Sequence, residues 1–241
     1  MAVVHVIFQK EDVIPERLAG KDVVVFDVLL ATTTITRLIE AGSLNIYPAQ
    51  SFQAAEQCFE QLNSSSAILA GEWEGEAVQG YQLPLPTQLA PLSTGKEVVL
   101  VTTNGTVALH KAAKAHRTVA GCLLNGQALA DSFVNSDRDL VLICAGSSEA
   151  PALEDTFGAG RLLALLSQAG DKRSWTDAAV MAFSVYKQHD PKRCLASSMV
   201  GQMFQKAGLA EETSAAALYD TTQVIPELQT DGQYLKIGGC V

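Results

Sequence analysis

The sequence predicts an α/β fold, a three-layer α/β/α unit with a mostly parallel sheet and a C-terminal helical segment. Three observations carry this. Apolar β-type runs alternate with helical patterns from Val23 to Leu166. The runs are apolar on consecutive positions, as expected when helices cover both faces of a sheet. After Leu166 the pattern turns to helices without strong strands between them.

Taken in order, Met1 to Lys10 alternates like a strand. Val23 to Phe26 reads as a strand and Thr33 to Ala41 as a helix; Leu44 to Tyr47 and Phe52 to Leu62 repeat the unit. In the second helix Phe52, Ala55, Phe59 and Leu62 fall on one face and Gln53, Glu56, Gln57 and Glu60 on the other, so it is a cover helix without chemistry. A strand at Ile68 to Ala70 follows, then a long connection from Glu72 to Gly95 that contains Pro84, Pro86 and Pro91. Loops of that length in a compact unit are lids or binding loops, or else plain surface excursions. The alternation resumes with Val98 to Val101 and Gly105 to Ala115, then Thr118 to Ala120 and Gly126 to Phe133, then Leu140 to Cys144 and Thr156 to Leu166. Helices are expected at Ser174 to Lys187, Ser197 to Lys206 and Glu211 to Tyr219, with N-caps at Ser174 and Ser197 and a stop at Gly208. Thr222 to Ile237, with an Asp231-Gly232 turn, reads as a final edge hairpin. The 241 residues are expected to form one compact unit, 1–241, with two lobes at about 1–96 and 97–241 as the other division.

Composition narrows the function. Seventeen Lys and Arg against 26 Asp and Glu give a net charge of −9, so a basic footprint for nucleic acid or an anionic membrane is absent. No apolar run approaches the roughly 20 residues that span a bilayer, and the N-terminus lacks a signal-peptide pattern, so a cytoplasmic protein is expected. The five cysteines are scattered and never form C-x-x-C, and the four histidines show no ligand spacing, so neither a disulfide framework nor a zinc site is encoded. P-loop, dinucleotide and hydrolase-elbow motifs are absent.

Open α/β sheets bind ligands at the carboxyl ends of their strands, and unusual groups collect there. Asp27 precedes Ala31-Thr32-Thr33-Thr34, Thr102-Thr103-Asn104-Gly105-Thr106 opens another helix, Asn125-Gly126 ends a third run, and Cys144-Ala145-Gly146 precedes Glu154-Asp155. Hydroxyls and free N–H groups at helix N-termini suit anions. Asp27, Glu72 and Asp155 supply hard oxygen ligands of the kind Mg²⁺ takes. Together these read as a metal-assisted phosphate site. Each piece also has a plainer reading: the Thr clusters as caps and turn formers, Glu154-Asp155 as first-turn acids, Cys144 as a core residue, and the histidines as surface or helix-face residues.

In this order, Val25 to Ile35, Gly71-Glu72, Thr102 to Thr106, Leu124-Asn125, Cys144-Ala145-Gly146 with Glu154-Asp155, and Val224-Ile225-Pro226 resemble the successive motifs of the 2-phosphosulfolactate phosphatase family. The resemblance spans nearly the whole chain and implies a Mg²⁺-dependent α/β enzyme that hydrolyses 2-phospho-3-sulfolactate on a route to coenzyme M. It implies metal or water-activating roles for Asp27, Glu72 and Asp155. It also implies a phosphate cradle of Thr32, Thr33, Thr34, Thr103, Asn104, Gly105 and Thr106, with Asn125 and Gly146 lining the pocket. Two departures stand out. Leu30 occupies a position where the family usually carries arginine, and Tyr81 to Pro86 replaces a polar loop. The reading is therefore a phosphomonoester hydrolase acting by in-line water attack on this or a less anionic substrate. Its rival is a non-catalytic relative that binds a small anionic metabolite. The expected partner is a small anionic phosphoester, with no nucleic acid and no membrane, and a homodimer is left open.

Overall fold

Burial on both faces decides the strands at the centre of the molecule, since Asp22–Phe26 and Leu140–Cys144 are buried at all five positions. The computed structural model describes residues 2–62, 67–231 and 234–240. In chain order the elements are β1 (Val3–Ile7), β2 (Asp22–Phe26), α1 (Ala31–Glu40), β3 (Asn45–Ala49), α2 (Phe52–Gln61), β4 (Ala67–Trp73), β5 (Glu76–Ala77), α3 (Pro86–Ser93), β6 (Glu97–Val101) and α4 (Gly105–Ala112). They continue with β7 (Arg117–Gly121), α5 (Gly126–Phe133), β8 (Leu140–Cys144), α6 (Leu153–Gln168), β9 (Ser174–Trp175), α7 (Asp177–Gln188), α8 (Pro191–Ser197), α9 (Met199–Lys206), α10 (Ala210–Ala216), β10 (Ile225–Asp231) and β11 (Tyr234–Cys240).

The strands form one sheet in the order β5-β4-β6-β3-β11-β10-β7-β2-β8-β1-β9. Two parallel blocks, β4-β6-β3 and β7-β2-β8-β1-β9, flank the antiparallel hairpin β10-β11. One face packs Val24, Phe26, Leu142 and Cys144 against α5, α6 and α7; the other packs Val23, Val25, Val141 and Ile143 against α1 and α4. The predicted three-layer α/β fold is the one observed.

The hairpin is not at an edge, which corrects the sequence reading. Pro226 and the Asp231-Gly232 turn suit an edge hairpin, yet Glu227 registers with Val119 of β7 and Ile237 with Ile46 of β3. Ile237 is buried in the second core, and Arg117 Nε donates to Glu227 at 2.9 Å. Each block offers the hairpin an otherwise unpaired edge, and pairing there satisfies more backbone groups than solvent exposure. Gly232 of the predicted turn lies outside the described residues.

Two caps move. Thr176, not Ser174, caps α7, because Ser174 is drawn into pairing with Val3 of β1. Ser198, not Ser197, caps α9 by accepting from Gly201 N at 3.1 Å, while Ser197 ends α8, a helix the sequence reading did not separate. The long connection contains β5 and α3; α3 starts on Pro86, whose missing N–H has no intrahelical partner at that position. Gly208, with φ +76°, ends α9 as expected.

Helices α6 and α7 cross at Gly160, where an added Cβ would stand 2.2 Å from the Ala182 carbonyl oxygen. Gly160→Ala is therefore expected to force the two helices apart, costing about 1 to 3 kcal/mol. At roughly 2 to 4 °C per kcal/mol for a chain of this size, calorimetry should show Tm lowered by several degrees. An unchanged Tm would show that the crossing gives way without loss.

Candidate active site

At the carboxyl end of β2 the chain turns sharply into α1, and the side chain that organises the turn is Asp27. It is 8% exposed. Its Oδ1 accepts from Leu30 N at 2.6 Å, and the amides of Ala31 and Gly105 also donate to the carboxylate. Asp27 thus caps α1 and α4 together. An added Cβ at Gly105 would lie 2.4 Å from Asp27 Oδ2, so only glycine admits this approach. Burial, followed in effect by the charge of Glu72, pushes the Asp27 carboxyl up to about 6 against the opposing N–H donors.

Asp155, in the first turn of α6, reaches across to the same turn. Its Oδ1 accepts from Val28 N at 2.8 Å and its Oδ2 from Gly146 N at 3.1 Å. Gly146 has φ +75°, and an added Cβ there would stand 2.7 Å from the Ala150 carbonyl oxygen, which reserves the position for glycine. Burial and the charges of Asp27 and Glu154 hold Asp155 well above the usual carboxylate range. Glu154, 2% exposed and hydrogen-bonded to the Ser198 hydroxyl, is pushed up to about 7, mainly by burial. The sequence reads Glu154 as a first-turn acid of the helix and leaves it out of the candidate metal residues. Its signal was its place beside Asp155.

Glu72, at the end of β4, is fixed by a clamp: Thr103 N donates to Oε1 at 2.7 Å, the Thr103 hydroxyl to Oε2 at 3.0 Å, and Gly75 N to Oε2 at 2.7 Å. Asp27, Glu72 and Asp155 are thereby gathered from the ends of β2 and β4 and the first turn of α6, with Glu154 as a fourth acid.

The other predicted residues divide. Thr32 donates its hydroxyl to Asp27 O at 2.8 Å, Thr33 to Val28 O at 2.8 Å, and Thr34 to Pro84 O at 2.6 Å. Thr106 and Thr102 bond reciprocally across the α4 turn. These hydroxyl protons hold the turns in place, and the Thr34 bond fastens the Tyr81 to Pro86 loop through its backbone. Asn125 is fully buried; its amide donates to Ala120 O and Val224 O, and its Oδ1 accepts from Cys122 N. It joins β7 to the approach of β10 and is not brought to the acids. Asn104 Oδ1 accepts from Lys10 Nζ at 2.8 Å, a contact the sequence reading missed. Cys144 is fully buried in the core, with its thiol raised well above its usual value by burial.

Among the described residues no three His, Cys, Asp or Glu side chains converge as a ready metal cage. The donor chemistry nonetheless fits Mg²⁺: these are hard carboxylate oxygens, the charge of Glu72 raising Asp27 and that of Asp27 raising Asp155, and Mg²⁺ is usually held by one or two carboxylates together with substrate oxygens and water.

An open, mostly parallel sheet with carboxylates gathered at its strand ends defines an α/β protein of the class whose ligands bind at the carboxyl ends of the strands. Comparison with known proteins is more specific. The family model for 2-phosphosulpholactate phosphatase matches residues 8–231. A probable 2-phosphosulfolactate phosphatase of Carboxydothermus hydrogenoformans is 36% identical over 217 residues, covering 88% of this chain and 90% of that one. One from Deinococcus radiodurans is 31% identical over 223 residues, covering 90% and 91%. One from Caldanaerobacter subterraneus is 28% identical over 216 residues, covering 88% and 89%. The chain belongs to the 2-phosphosulfolactate phosphatase family.

Asp27 and Glu154 both carry raised values in the folded state, so the folded chain binds protons that the unfolded chain has released. The favourable balance is complete below about pH 4 and is lost as pH rises through about 6 and 7. In excess chelator, Tm should therefore fall between pH 5.5 and 8 by on the order of 5 °C. Glu154→Gln should flatten part of that slope. Parallel profiles for wild type and Glu154→Gln would remove Glu154 from this role, and a Tm flat over this range in wild type would remove both acids.

Proposed function

We propose that this chain is a Mg²⁺-dependent phosphomonoester hydrolase acting on 2-phospho-3-sulfolactate or a related small phosphorylated acid. The observation that carries the reading is the gathering of Asp27, Asp155 and Glu72 at the carboxyl end of one sheet, two of them buried, with the charge of Glu72 raising Asp27 and that of Asp27 raising Asp155. Such an acid cluster repels a phosphate unless a cation stands between them. Asp27 and Asp155 are the residues that would hold Mg²⁺, with Glu72 beside them. When bound, the ion would offset the charge of a phosphoryl group.

The residues themselves do the positioning. Asp27 and Asp155, each fixed by backbone N–H groups, keep their oxygens at a constant height above β2, so little reorganisation accompanies charge development at a phosphoryl group. Thr103 holds Glu72 in place. Hydrolysis consumes one water: its oxygen bonds to phosphorus, the ester oxygen leaves as an alkoxide that takes up a proton, and phosphate and alcohol are released. Positioning and electrostatics are asked to do most of this work. The relatives' names support the substrate class, and a place on a route to coenzyme M follows from it.

The non-catalytic alternative draws its motive from Leu30 and the Tyr81 to Pro86 loop. Both have structural employment: Leu30 N caps onto Asp27, and the loop is bonded through Gln82 to β4 at 2.9 Å and through Pro84 to Thr34. The acids stay in place, and the enzyme reading stands.

As to surroundings, no helix among the described residues is long and apolar enough to cross a membrane. Cys58, Cys122, Cys144 and Cys194 are free and buried, which suits a reducing cytoplasm.

Phosphate release from 2-phospho-3-sulfolactate and from a panel of phosphomonoesters should vanish in chelator and return with Mg²⁺. Asp27→Asn and Asp155→Asn should each lower kcat by at least about 100-fold. Full turnover in excess chelator would overturn the metal role, and no turnover on any phosphoester would overturn the enzyme.

A further inference from the structure

Beside a metal held by the acids, a phosphoryl group would be recognised by a cation of the protein's own, and the described cations differ in what they reach. Arg161, buried in α6, is engaged by Asp220 and stacked on Tyr219, with its guanidinium carbon 3.5 Å from the ring centre. Arg37 pairs with Glu40 and Arg117 with Glu227. Lys10 alone among these contacts a residue of the site. It follows β1 in a single turn of 3₁₀ helix, Lys10 to Asp12, held at the carboxyl end of β8 by Lys10 N donating to Ala145 O at 3.1 Å. Lys111 Nζ, from α4, donates to Lys10 O at 2.6 Å. The Lys10 side chain is 13% exposed, and its ammonium donates to Asn104 Oδ1 at 2.8 Å, one residue before the glycine that touches Asp27.

We propose that Lys10 is the residue that binds the phosphoryl oxygens of the substrate, exchanging its contact with Glu11 for the ligand. This rests on the phosphatase reading and deepens it. Glu11 is a sequence neighbour on the rim, 2.5 Å from Lys10 Nζ and one-third exposed in its side chain. An ion pair at such a rim is weak and screened by solvent, so a doubly charged phosphoryl group can displace it. Asn104, by contrast, is in the cap of α4 and keeps the ammonium aimed at the site while the carboxylate leaves. The bond of the ammonium to Asn104 already restricts the Lys10 side chain, which limits the entropy lost when a ligand fixes it.

Calorimetric titration of the full chain with inorganic phosphate, in Mg²⁺ at low salt, tests the assignment. Lys10→Met should weaken binding by about 10- to 100-fold, as expected for loss of a charge-assisted hydrogen bond. Lys10→Arg should keep most of the affinity. Glu11→Gln, which removes the competitor and leaves Lys10, should bind phosphate equally or more tightly; a structural ion pair would instead make Glu11→Gln lose as much as Lys10→Met. Methanesulfonate should show no dependence on Lys10. The proposal is overturned if wild type binds no phosphate, if Lys10→Met binds it unchanged, if Glu11→Gln matches the loss, or if the dependence appears for the sulfonate instead. Lys10-dependent phosphate binding in a chain that turns over no phosphoester would retire the hydrolase reading and leave this site standing.

Discussion

Everything at the strand tips depends on one carboxylate placed where helix N-termini would otherwise be free. Asp27 accepts from Leu30 N and from the amides of Ala31 and Gly105, so the positive ends of α1 and α4 are already satisfied by an anion that belongs to the protein. The usual economy of open α/β sheets, in which bare amides cradle a phosphate, is therefore reversed here. An incoming phosphoryl group meets negative charge first. On the function proposed above, that single fact calls for a cation, bound metal or lysine, between the acids and the ligand.

The remaining acids follow from the same constraint. Asp155 can stand beside Asp27 because two backbone amides, Val28 N and Gly146 N, support it in a site nearly closed to water. Each support is a backbone group on a different element, so the distance between the acids is set by how β2, β8 and α6 pack rather than by side-chain flexibility. Glu72 is attached by the Thr103 clamp to the end of β6, its neighbour in the same block, and the two blocks are coupled across the site by the Gly105 amide, from the turn after β6, on Asp27 at the end of β2. Movement of either block relative to the other would be felt there as a change in the position of a carboxylate.

Much of this was legible in the sequence, for reasons that can be named. Buried strands such as β2 and β8 announce themselves by unbroken apolar runs, and the residues after such runs stand at the ligand end of the sheet, which is how Asp27, Thr103 and Gly146 were found. What could not be read was partnership over distance. The hydroxyl of Thr34 spends its proton on Pro84 O, fifty residues away, and Asn125 spends its amide on Val224 O, so residues that looked like ligand groups are bound into the frame. Lys10 left no mark because β1 is only half-buried and its following turn carries no glycine or hydroxyl cluster. The Asp231-Gly232 turn points to an antiparallel pair, but a turn signal says nothing about which neighbours the pair will have.

The position of that hairpin has a consequence for how the chain reaches its native state. β7 and β3 present unsatisfied edges until β10 and β11 arrive between them, and the pairs that close the gap, Glu227 with Val119 and Ile237 with Ile46, lie far apart along the chain. Loop-closure entropy makes such contacts slow to form. Two parallel blocks can collapse early, each with an exposed edge open to another chain, and the sheet becomes one object only when a segment made long after both has threaded into the seam. The keystone of the architecture is also its latest arrival, so changes in β10 or β11 would show themselves first as poor recovery on refolding and in self-association, before any altered chemistry at the strand tips.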